Sequence, residues 1–248
     1  FQFSHHTIDS DGTIKHSGQY INSDPGVFPN FDFVRNLKLQ LESDSGTIFR
    51  YSNHENSILC SIIEQLLESN EQDKEELVAW IKTITNKSSQ WEGARNMVDL
   101  CEVVVKSFYH RLLCGSNSLK YVLPAILSIS TFLQNKYKYP IYGDVKGIQS
   151  LNFLKHSWVQ YDVAGRLIDP YALLPDLLKD FGHNIEALFE DDDIRQGGAA
   201  MTAYAKLQFT EMSLEERTEL RNALLQYCEL DTFAMVLLYE YLSVMCKN

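Results

Sequence analysis

Two acidic residues and one tyrosine have the types and positions that metal-dependent phosphodiester cleavage needs. Tyr227 and Asp231 are four residues apart in a helical pattern, so both project from one face and can meet the same ligand. Glu55 follows a short strand pattern and falls in the first turn of the next helix. That position lies beside the edge of the sheet where α/β folds build sites. Two-metal hydrolysis brings carboxylates to cations about 4 Å apart, so Glu55 and Asp231 are the candidate metal ligands and Tyr227 the candidate that orients water.

Each of these residues also has a structural interpretation. A glutamate in a first helical turn complements the helix dipole, and position alone favours that role for Glu55. The same tyrosine-to-aspartate spacing recurs at Tyr20 and Asp24, where no helix is expected. The Tyr227 and Asp231 pair therefore indicates a functional site only because it lies in a predicted helix. Asp231 lies on a face otherwise made of leucine and methionine, where an unpaired carboxylate is costly to bury.

Further candidates lie near the same elements. Lys120 and Asn53 are assigned to substrate binding, although a solvated lysine at a helix start is the more common case. Asp99 opens a helix, where an N-cap role is more common than catalysis. His5 and His6 are neighbours in a strand and face opposite sides, which disfavours joint metal binding. No local signature of a Cys-His or Ser-His-Asp catalytic set is present.

Charge and composition limit the function classes. The 248 residues carry a net charge of −11, which argues against a generic DNA-coating protein because such binding depends on Lys and Arg neutralising phosphates. An acidic enzyme can still use nucleic acid if metal ions bridge its carboxylates to phosphate. Five cysteines without a C-x-x-C pair predict reduced thiols and a cytoplasmic protein. No apolar run is long enough to cross a bilayer, so no membrane partner is expected.

The first half of the chain predicts a hairpin, helices and a short strand that leads to Glu55. Alternating residues on both sides of an Asp11-Gly12 turn predict strands over 1–8 and 13–20. Helices are expected over 31–41, 54–67 and 74–84, a strand over 47–51 and a loop over 85–93. The chain opens inside a strand pattern without a methionine or polar leader, which predicts that an upstream segment has been removed.

The second half predicts the helix that carries the tyrosine and the aspartate. Helices are expected over 102–109, 119–127 and 214–245, the last with Leu220, Leu224, Tyr227, Asp231, Met235 and Leu238 on one face. Residues 138–184 have poor periodicity and predict an insertion or a long, partly ordered connection. The composition is sufficient for one compact domain with insertions.

The order of these motifs resembles that of ribonuclease-H-like nucleases. The segment Tyr51–Glu55 after a strand and the segment Tyr227–Met235 on a late helix resemble the second and third motifs of the DnaQ-like, tyrosine-type DEDD 3′ to 5′ exonuclease superfamily. Four more segments resemble a prokaryotic domain family of unknown function in that clan, many members of which follow a PD-(D/E)XK-type nuclease domain. These segments are Arg95–Leu100, Gly115–Lys120, Leu123–Leu127 and Gly197–Tyr204. The resemblance spans nearly the whole chain.

This resemblance implies an α/β fold, with a ribonuclease-H-like mixed sheet flanked by helices in one domain over 1–248. Members carry an Asp-x-Glu first motif upstream of a segment similar to Phe1–His6, and this sequence has no residue to match it. The resemblance assigns Glu55 to the second acidic position, usually Asp in proofreading exonucleases, and Asp231 to the third motif. It implies a Mg²⁺- or Mn²⁺-dependent exonuclease on DNA or RNA when intact. Without the first motif, this chain is expected to bind the cation weakly and to be inactive.

Two other functions remain open. A non-catalytic module of the same fold that holds a partner, or an adjacent nuclease domain of the same polypeptide, is favoured by the negative charge and by the glutamate at the second motif. In an active enzyme, Glu55 and Asp231 should face one cavity, whereas a binding module has no such requirement. An all-helical interaction protein requires that residues 1–8 and 47–51 do not pair as strands.

Overall fold

A computed structural model describes residues 2–175 and 192–247, and its side chains are described except at 192–199. The chain divides into two compact units. The first unit is Val27–Tyr109, and the second consists of Gln2–Gly26 together with the described residues of His110–Asn248. Over the described ranges the structure is mixed α/β, with eight α-helices and three two-stranded sheets.

The elements are numbered in chain order. They are β1 (Gln2–Ile8), β2 (Ile14–Ile21), α1 (Asn30–Leu41), β3 (Phe49–Arg50), α2 (His54–Glu68), α3 (Lys74–Ile84), β4 (Asn86–Lys87), β5 (Trp91–Glu92), β6 (Val98–Asp99), α4 (Leu100–Ser107), α5 (Leu119–Ile129), α6 (Thr131–Tyr137), α7 (Asp192–Phe209) and α8 (Leu214–Met245). Two 3₁₀ helices, Arg111–Leu113 and Pro170–Leu173, complete the described elements.

Most of the predicted helices are confirmed within one to three residues. Helix α8 has the predicted bounds, and α1, α2 and α3 match their predicted ranges closely. The loop predicted over 85–93 is wrong, because β4 and β5 pair there as a short antiparallel hairpin. The strand predicted over 47–51 is reduced to Phe49–Arg50. Short strands of this kind carry too few residues for a periodic pattern to reveal their ends.

The first unit is built on three amphipathic helices and a pair of parallel strands. Its core comes from the inner faces of α2 and α3, which bury Leu59, Ile62, Ile63, Leu66, Leu77, Trp80, Ile81 and Ile84. Strands β3 and β6 are parallel, with Phe49 opposite Val98 and Arg50 opposite Asp99. Helix α2 follows β3 after three residues, and α4 follows β6 directly. The first turns of both helices therefore follow the carboxyl ends of paired parallel strands, as in α/β folds.

The second unit is organised around α8. The antiparallel hairpin of β1 and β2 packs on this helix, as do α5, α6 and α7. The stretch of α8 from Ala223 to Leu238 is buried on nearly all sides, which is typical of a central helix. Ser213 accepts a hydrogen bond from the Glu216 backbone N–H, and Glu216 accepts one from the Ser213 N–H. This capping box fixes where α8 begins.

The hairpin of the second unit contains a β-bulge. Its register shifts between His5, which is opposite Gly18, and His6, which is opposite His16. Ser17 is therefore the additional residue on β2, and such a residue changes which side chains of the bulged strand share a face. The prediction of a hairpin is confirmed, whereas the bulge was not predicted. Phe1 of the predicted first strand lies outside the described residues.

Residues 138–175, the described part of the predicted insertion, pack on α8 through aromatic side chains. Tyr142 and Trp158 are fully buried, and the Tyr142 ring centroid is 4.4 Å from that of Phe233 on α8. Isolated bridges join Tyr142 to Ile148 and to His156. The segment is thus held by side-chain packing, which has no regular sequence period. Residues 176–184 of the predicted insertion lie outside the described residues.

The sheets of the described residues are three separate strand pairs, β1 with β2, β3 with β6, and β4 with β5. The predicted α/β class is confirmed at this level. A continuous ribonuclease-H-like sheet stays a prediction.

A substitution at Gly143 tests how tightly the segment around Tyr142 is packed. Its φ is +74°, and an added Cβ would lie 2.1 Å from the Phe153 carbonyl oxygen. We expect Gly143→Ala to lower the free energy of unfolding by more than about 1 kcal/mol, because both the φ and the collision oppose a side chain. Gly165 has the same φ of +74° with open space around the added atom. In urea unfolding Gly165→Ala should therefore be the milder variant, and equal losses would contradict the close packing.

Candidate functional site

Tyr227 and Asp231 lie on the same face of α8, as predicted, and both meet a third side chain. The Tyr171 hydroxyl donates a hydrogen bond of 2.7 Å to Asp231 Oδ1. The ring centroids of Tyr171 and Tyr227 are 6.0 Å apart. Asp231 is partly exposed, whereas Tyr227 is buried. A carboxylate with some access to solvent therefore lies between two tyrosines.

Lys120 belongs to the same cluster. It lies in the first turn of α5, whose N-cap Ser118 accepts a hydrogen bond from the Lys120 backbone N–H. Its Nζ is 5.8 Å from the centroid of the Tyr227 ring, within the range of a cation–π interaction. Three predicted site residues, Lys120, Tyr227 and Asp231, are thus brought together in the second unit.

Burial is the main influence on the Asp231 carboxyl. It raises the pKa of Asp231 from 3.8 to about 6, while the hydrogen bond from Tyr171 and the charge of Lys120 act in the opposite direction. Desolvation disfavours the charged form of an acid, and a donor or a cation favours it. The carboxyl is therefore able to change its protonation state close to neutral pH.

Asp169 and Tyr171 are site residues that the sequence did not reveal. Asp169 Oδ1 accepts a hydrogen bond of 3.0 Å from the Tyr171 backbone N–H and so caps the 3₁₀ helix Pro170–Leu173. Partial desolvation raises the pKa of Asp169, although its side chain reaches the surface. An aspartate followed by proline at the first helical position is a recognisable start signal. It was missed because it lies in the segment of poor periodicity.

In the first unit, Asn53 and Glu55 follow β3. Asn53 Oδ1 accepts a hydrogen bond of 2.6 Å from Arg50, and its Nδ2 donates to the Ser57 hydroxyl at 3.0 Å. Asn53 occupies the N-cap position of α2 without a side-chain capping bond. Glu55 is exposed in the first turn of α2, where it also complements the helix dipole. Asn53 thus has two protein partners, and its role in substrate binding stays a prediction.

The N-cap interpretation of Asp99 is confirmed. Its Oδ1 accepts hydrogen bonds from the backbone N–H groups of Cys101 at 2.9 Å and Ser52 at 3.0 Å. Its Oδ2 is 3.7 Å from the buried Arg50 guanidinium. Ser52 has a φ of +71°, a conformation that non-glycine residues adopt rarely. Asp99 therefore holds the unusual turn between β3 and α2 in place.

The two halves of the predicted metal site belong to different units. Glu55 lies in Val27–Tyr109, and Asp231 lies in the second unit. Their approach to a common cation stays a prediction. Within the described ranges, no group of three or more His, Cys, Asp or Glu side chains is arranged to hold a metal ion. The oxygen donors of Asp231 and Glu55 suit Mg²⁺ or Mn²⁺ in type, and a complete site needs further ligands.

A second polar cluster surrounds Glu229, on the opposite side of α8 from Asp231. Residues two apart in a helix point about 200° apart, so the two acids face different surroundings. Glu229 is fully buried and accepts hydrogen bonds from Tyr142 at 2.6 Å, Ser150 at 2.6 Å and Asn152 at 2.7 Å. These partners come from the segment that packs on α8. The carboxylate is thus well satisfied, as burial of a charge requires.

The β1–β2 hairpin reaches the same cluster through two histidines. His16 Nδ1 is 3.1 Å from Glu229 Oε1, and His16 is fully buried. His6 Nε2 lies 2.8 Å from the Tyr142 hydroxyl. Because that hydroxyl donates to Glu229, His6 Nε2 carries the proton and donates to Tyr142. His6 Nδ1 then accepts from the Thr232 hydroxyl at 2.8 Å.

Hydrogen bonding to His16 and to Ser150 and Tyr142 lowers the pKa of Glu229, against the opposing effect of burial. Burial lowers the pKa of His6 to about 3, and the neighbouring His16 adds to this effect. His6 is therefore neutral and Glu229 ionised at neutral pH. The cluster combines one buried negative charge with the uncharged donors Tyr142, Ser150 and Asn152.

Within the Glu229 cluster, Ser4, His16 and Glu229 form a chain of polar contacts. Ser4 Oγ is 2.9 Å from His16 Nε2. Ser4 and His16 are 12 residues apart in the hairpin and Glu229 lies on α8, so the three residues meet only in the fold and no local sequence signature marks them. Ser4 Oγ is also 2.8 Å from the Thr232 hydroxyl on α8. These partners join β1, β2 and α8, so we interpret the set as structural.

The comparisons with known proteins give a match for the first part of the chain. A domain of unknown function, DUF2779, covers residues 1–118. This match includes Asn53 and Glu55 and ends before Lys120, Tyr227 and Asp231. No curated protein and no solved structure matches the chain. No helix of the described residues combines the length and the apolar character that a membrane span requires.

The neutral His6 should make the fold sensitive to acid. A histidine whose folded pKa is far below 6.5 binds its proton mainly in the unfolded chain, so stability falls as pH falls below about 6.5. The lowered pKa of Glu229 acts in the same direction, because its contribution is lost as pH falls below 4.5 toward its folded pKa. The titratable groups beside His6 include the Tyr142 hydroxyl, to which it is hydrogen-bonded, and His5, His16 and Glu229, whose charges affect its pKa.

His6→Gln keeps a hydrogen-bond donor but cannot titrate. We therefore expect this variant to reduce the slope of the free energy of unfolding against pH between pH 7 and pH 5. This range includes the ordinary histidine pKa of 6.5 and stays above the folded pKa of about 3. Urea unfolding at a series of pH values measures this slope. The control is His54→Gln, at an exposed histidine of α2. If His6→Gln and the wild type lose stability in parallel, the neutral state of His6 is wrong.

The Asp231 carboxyl should titrate near pH 6, above its ordinary 3.8. Carbon-13 NMR of aspartate carboxyl groups, with Asp231→Asn for assignment, follows this titration. Tyr171→Phe should raise the pKa of Asp231 further, because the variant removes a hydrogen bond that favours the charged form. Tyr161→Phe, at an exposed tyrosine of the same segment, should leave it unchanged. A titration near the ordinary value would contradict the burial of Asp231.

Proposed function

We propose that this chain is a metal-dependent nuclease domain of the ribonuclease-H-like, tyrosine-type DEDD exonuclease class, and that activity on DNA or RNA from the 3′ end requires an Asp-x-Glu first motif in addition to the residues of this chain. The observation that carries the proposal is the cluster of Tyr227, Asp231 and Lys120 in the second unit. It combines a carboxylate, a phenol and a cation at one partly exposed position. A carboxylate can help to hold the metal ions that drive phosphodiester hydrolysis, a phenol can orient water, and a cation can neutralise phosphate charge.

Each residue has a separate role in this proposal. Asp231 and Glu55 would hold Mg²⁺ or Mn²⁺, which when bound supplies charge stabilisation and lowers the pKa of water. Tyr227 orients the attacking water by a hydrogen bond from or to its hydroxyl. Lys120 neutralises part of the phosphate charge, and its position over the Tyr227 ring keeps it near the cleavage site. Asn53, at the start of α2, contributes a polar contact to substrate.

Two features of the first unit support Glu55 as a metal ligand in this proposal. It lies in the first turn of α2, which begins after the three residues that follow β3, the parallel partner of β6. The carboxyl ends of parallel strands are where α/β folds place their ligands. The match to DUF2779 includes this region without giving it a function. The proposal therefore rests on residue chemistry and on the resemblance of the two motifs.

The shared cation is tested on the 248-residue chain by paramagnetic broadening. Mn²⁺ should broaden backbone amide signals around both Glu55 and Asp231 at the same concentrations. Asp231→Asn should remove the broadening at both places, because a cation that loses one of two carboxylates is bound much more weakly. The matched control is Glu68→Gln, at an exposed glutamate in the last turn of α2. Broadening around only one of the two acids would contradict a shared site.

The activity is tested with labelled single-stranded and duplex oligonucleotides of DNA and RNA in Mg²⁺ or Mn²⁺. The assay is run on this chain and on an extended chain with an Asp-x-Glu strand added before Phe1. We expect the extended chain to shorten substrates from the 3′ end, and Asp231→Asn in that chain to abolish this activity. No cleavage by the extended chain, together with binding of a partner or an adjacent nuclease domain, would favour the non-catalytic module instead.

A further inference from the structure

Tyr171 is attached to the Tyr227 and Asp231 pair from outside α8. Its hydroxyl donates to Asp231 Oδ1 at 2.7 Å, across a separation of 60 residues in the chain. Its ring lies 6.0 Å from the Tyr227 ring, between centroids. Burial raises the pKa of Tyr171 well above 10, and the Asp231 charge acts in the same direction. The hydroxyl therefore keeps its proton at neutral pH and can donate it to Asp231.

The backbone of Tyr171 is also held by a hydrogen bond. The Asp169 carboxylate accepts the Tyr171 N–H at 3.0 Å. Pro170, which is buried, stands between them at the first position of the 3₁₀ helix. Proline restricts φ and suits this position because its missing N–H is not needed there. The three residues form a preorganised turn that presents one hydroxyl to one carboxylate oxygen.

We propose that Tyr171 is a positioning residue, which holds Asp231 through Oδ1 and leaves Oδ2 for a divalent cation. The inference rests on the proposed function, since it gives Asp231 a cation to bind. Ligating carboxylates are commonly held by a hydrogen bond from an outer residue, and loss of that partner weakens the metal site. Asp169 acts one step further out, because it holds the turn that carries Tyr171.

The Tyr171 hydroxyl could either position Asp231 for the cation or block it, and the two roles have opposite effects on cation binding. If the Tyr171 hydroxyl occupied the oxygen that the cation needs, its removal would strengthen cation binding. If the hydroxyl positions the carboxylate, its removal weakens binding. The sign of one measured change therefore separates the two roles.

The experiment is a Mn²⁺ titration of the ¹⁵N-labelled 248-residue chain, read as the concentration that half-broadens amide signals next to Asp231. The pH is set well above the Asp231 titration so that the carboxylate is ionised in every variant. Tyr171→Phe keeps the ring and should raise this concentration on the order of tenfold. Tyr161→Phe, at an exposed tyrosine, should not change it. Urea unfolding of each variant shows whether the fold itself has been weakened.

Two variants of Asp169 separate positioning from general stability. Asp169→Asn keeps an oxygen that can accept the Tyr171 N–H, and asparagine is as good a cap as aspartate, so Mn²⁺ affinity should stay near that of the wild type. Asp169→Ala loses the cap and should weaken Mn²⁺ binding in the same direction as Tyr171→Phe. A role in stability alone would lower the unfolding midpoint without changing the half-broadening concentration at Asp231.

The outcomes distinguish this inference from the proposed function. If Asp231→Asn does not weaken Mn²⁺ binding, the cation site is wrong and the role of Tyr171 is overturned with it. If Asp231→Asn weakens binding while Tyr171→Phe leaves it unchanged or strengthens it, the cation site stands and only the role of Tyr171 is overturned. Weakening by Asp231→Asn and by Tyr171→Phe, with Tyr161→Phe unaffected, supports both.

Discussion

The second unit depends on how one buried carboxylate is satisfied. Glu229 on α8 has lost all contact with solvent and is held by donors from the β1–β2 hairpin and from residues 142–152. An ionised group in such a position is tolerated only when its hydrogen bonds are complete. This requirement fixes the rotation of α8 about its axis. Tyr227 and Asp231, on other sides of the same turns, are thereby directed toward Lys120 and Tyr171.

Glu229 and Asp231, both on α8, show how different surroundings give two carboxyl groups different pKa values. Glu229 is surrounded by hydrogen-bond donors and keeps its charge, whereas in the part of the chain that the structure describes Asp231 accepts a hydrogen bond from Tyr171 and has a more distant lysine. Burial raises the pKa of both carboxyls, but at Glu229 the opposing hydrogen bonds outweigh it, whereas at Asp231 burial outweighs the hydrogen bond from Tyr171. A carboxylate with spare acceptor capacity can still take a ligand. In α8 that description fits Asp231 better than Glu229.

The amphipathic helices were predictable because burial of one face leaves a regular trace in the sequence. Helix α8 and the helices of the first unit are examples, and Tyr227 with Asp231 followed from the position of α8. Lys120 was found through its place at the start of α5. Tyr171, Asp169, Tyr142 and Glu229 were not found, because their contacts join segments far apart in the chain. Such contacts have no period, and a glutamate within a helix is read as solvent-exposed by default.

The bulge in the hairpin has an electrostatic consequence for the interior. Because Ser17 is an additional residue on β2, His16 stands opposite His6, and the two rings stack at 4.8 Å between centroids beside Glu229. In an unbroken ladder continuing from His5 and Gly18, Ser17 would take the place opposite His6, and the imidazole would turn to the other face of the strand. The group that stands beside an interior charge is therefore decided by one step of strand register. A one-residue shift of pairing in this hairpin would leave that charge without the His16 imidazole.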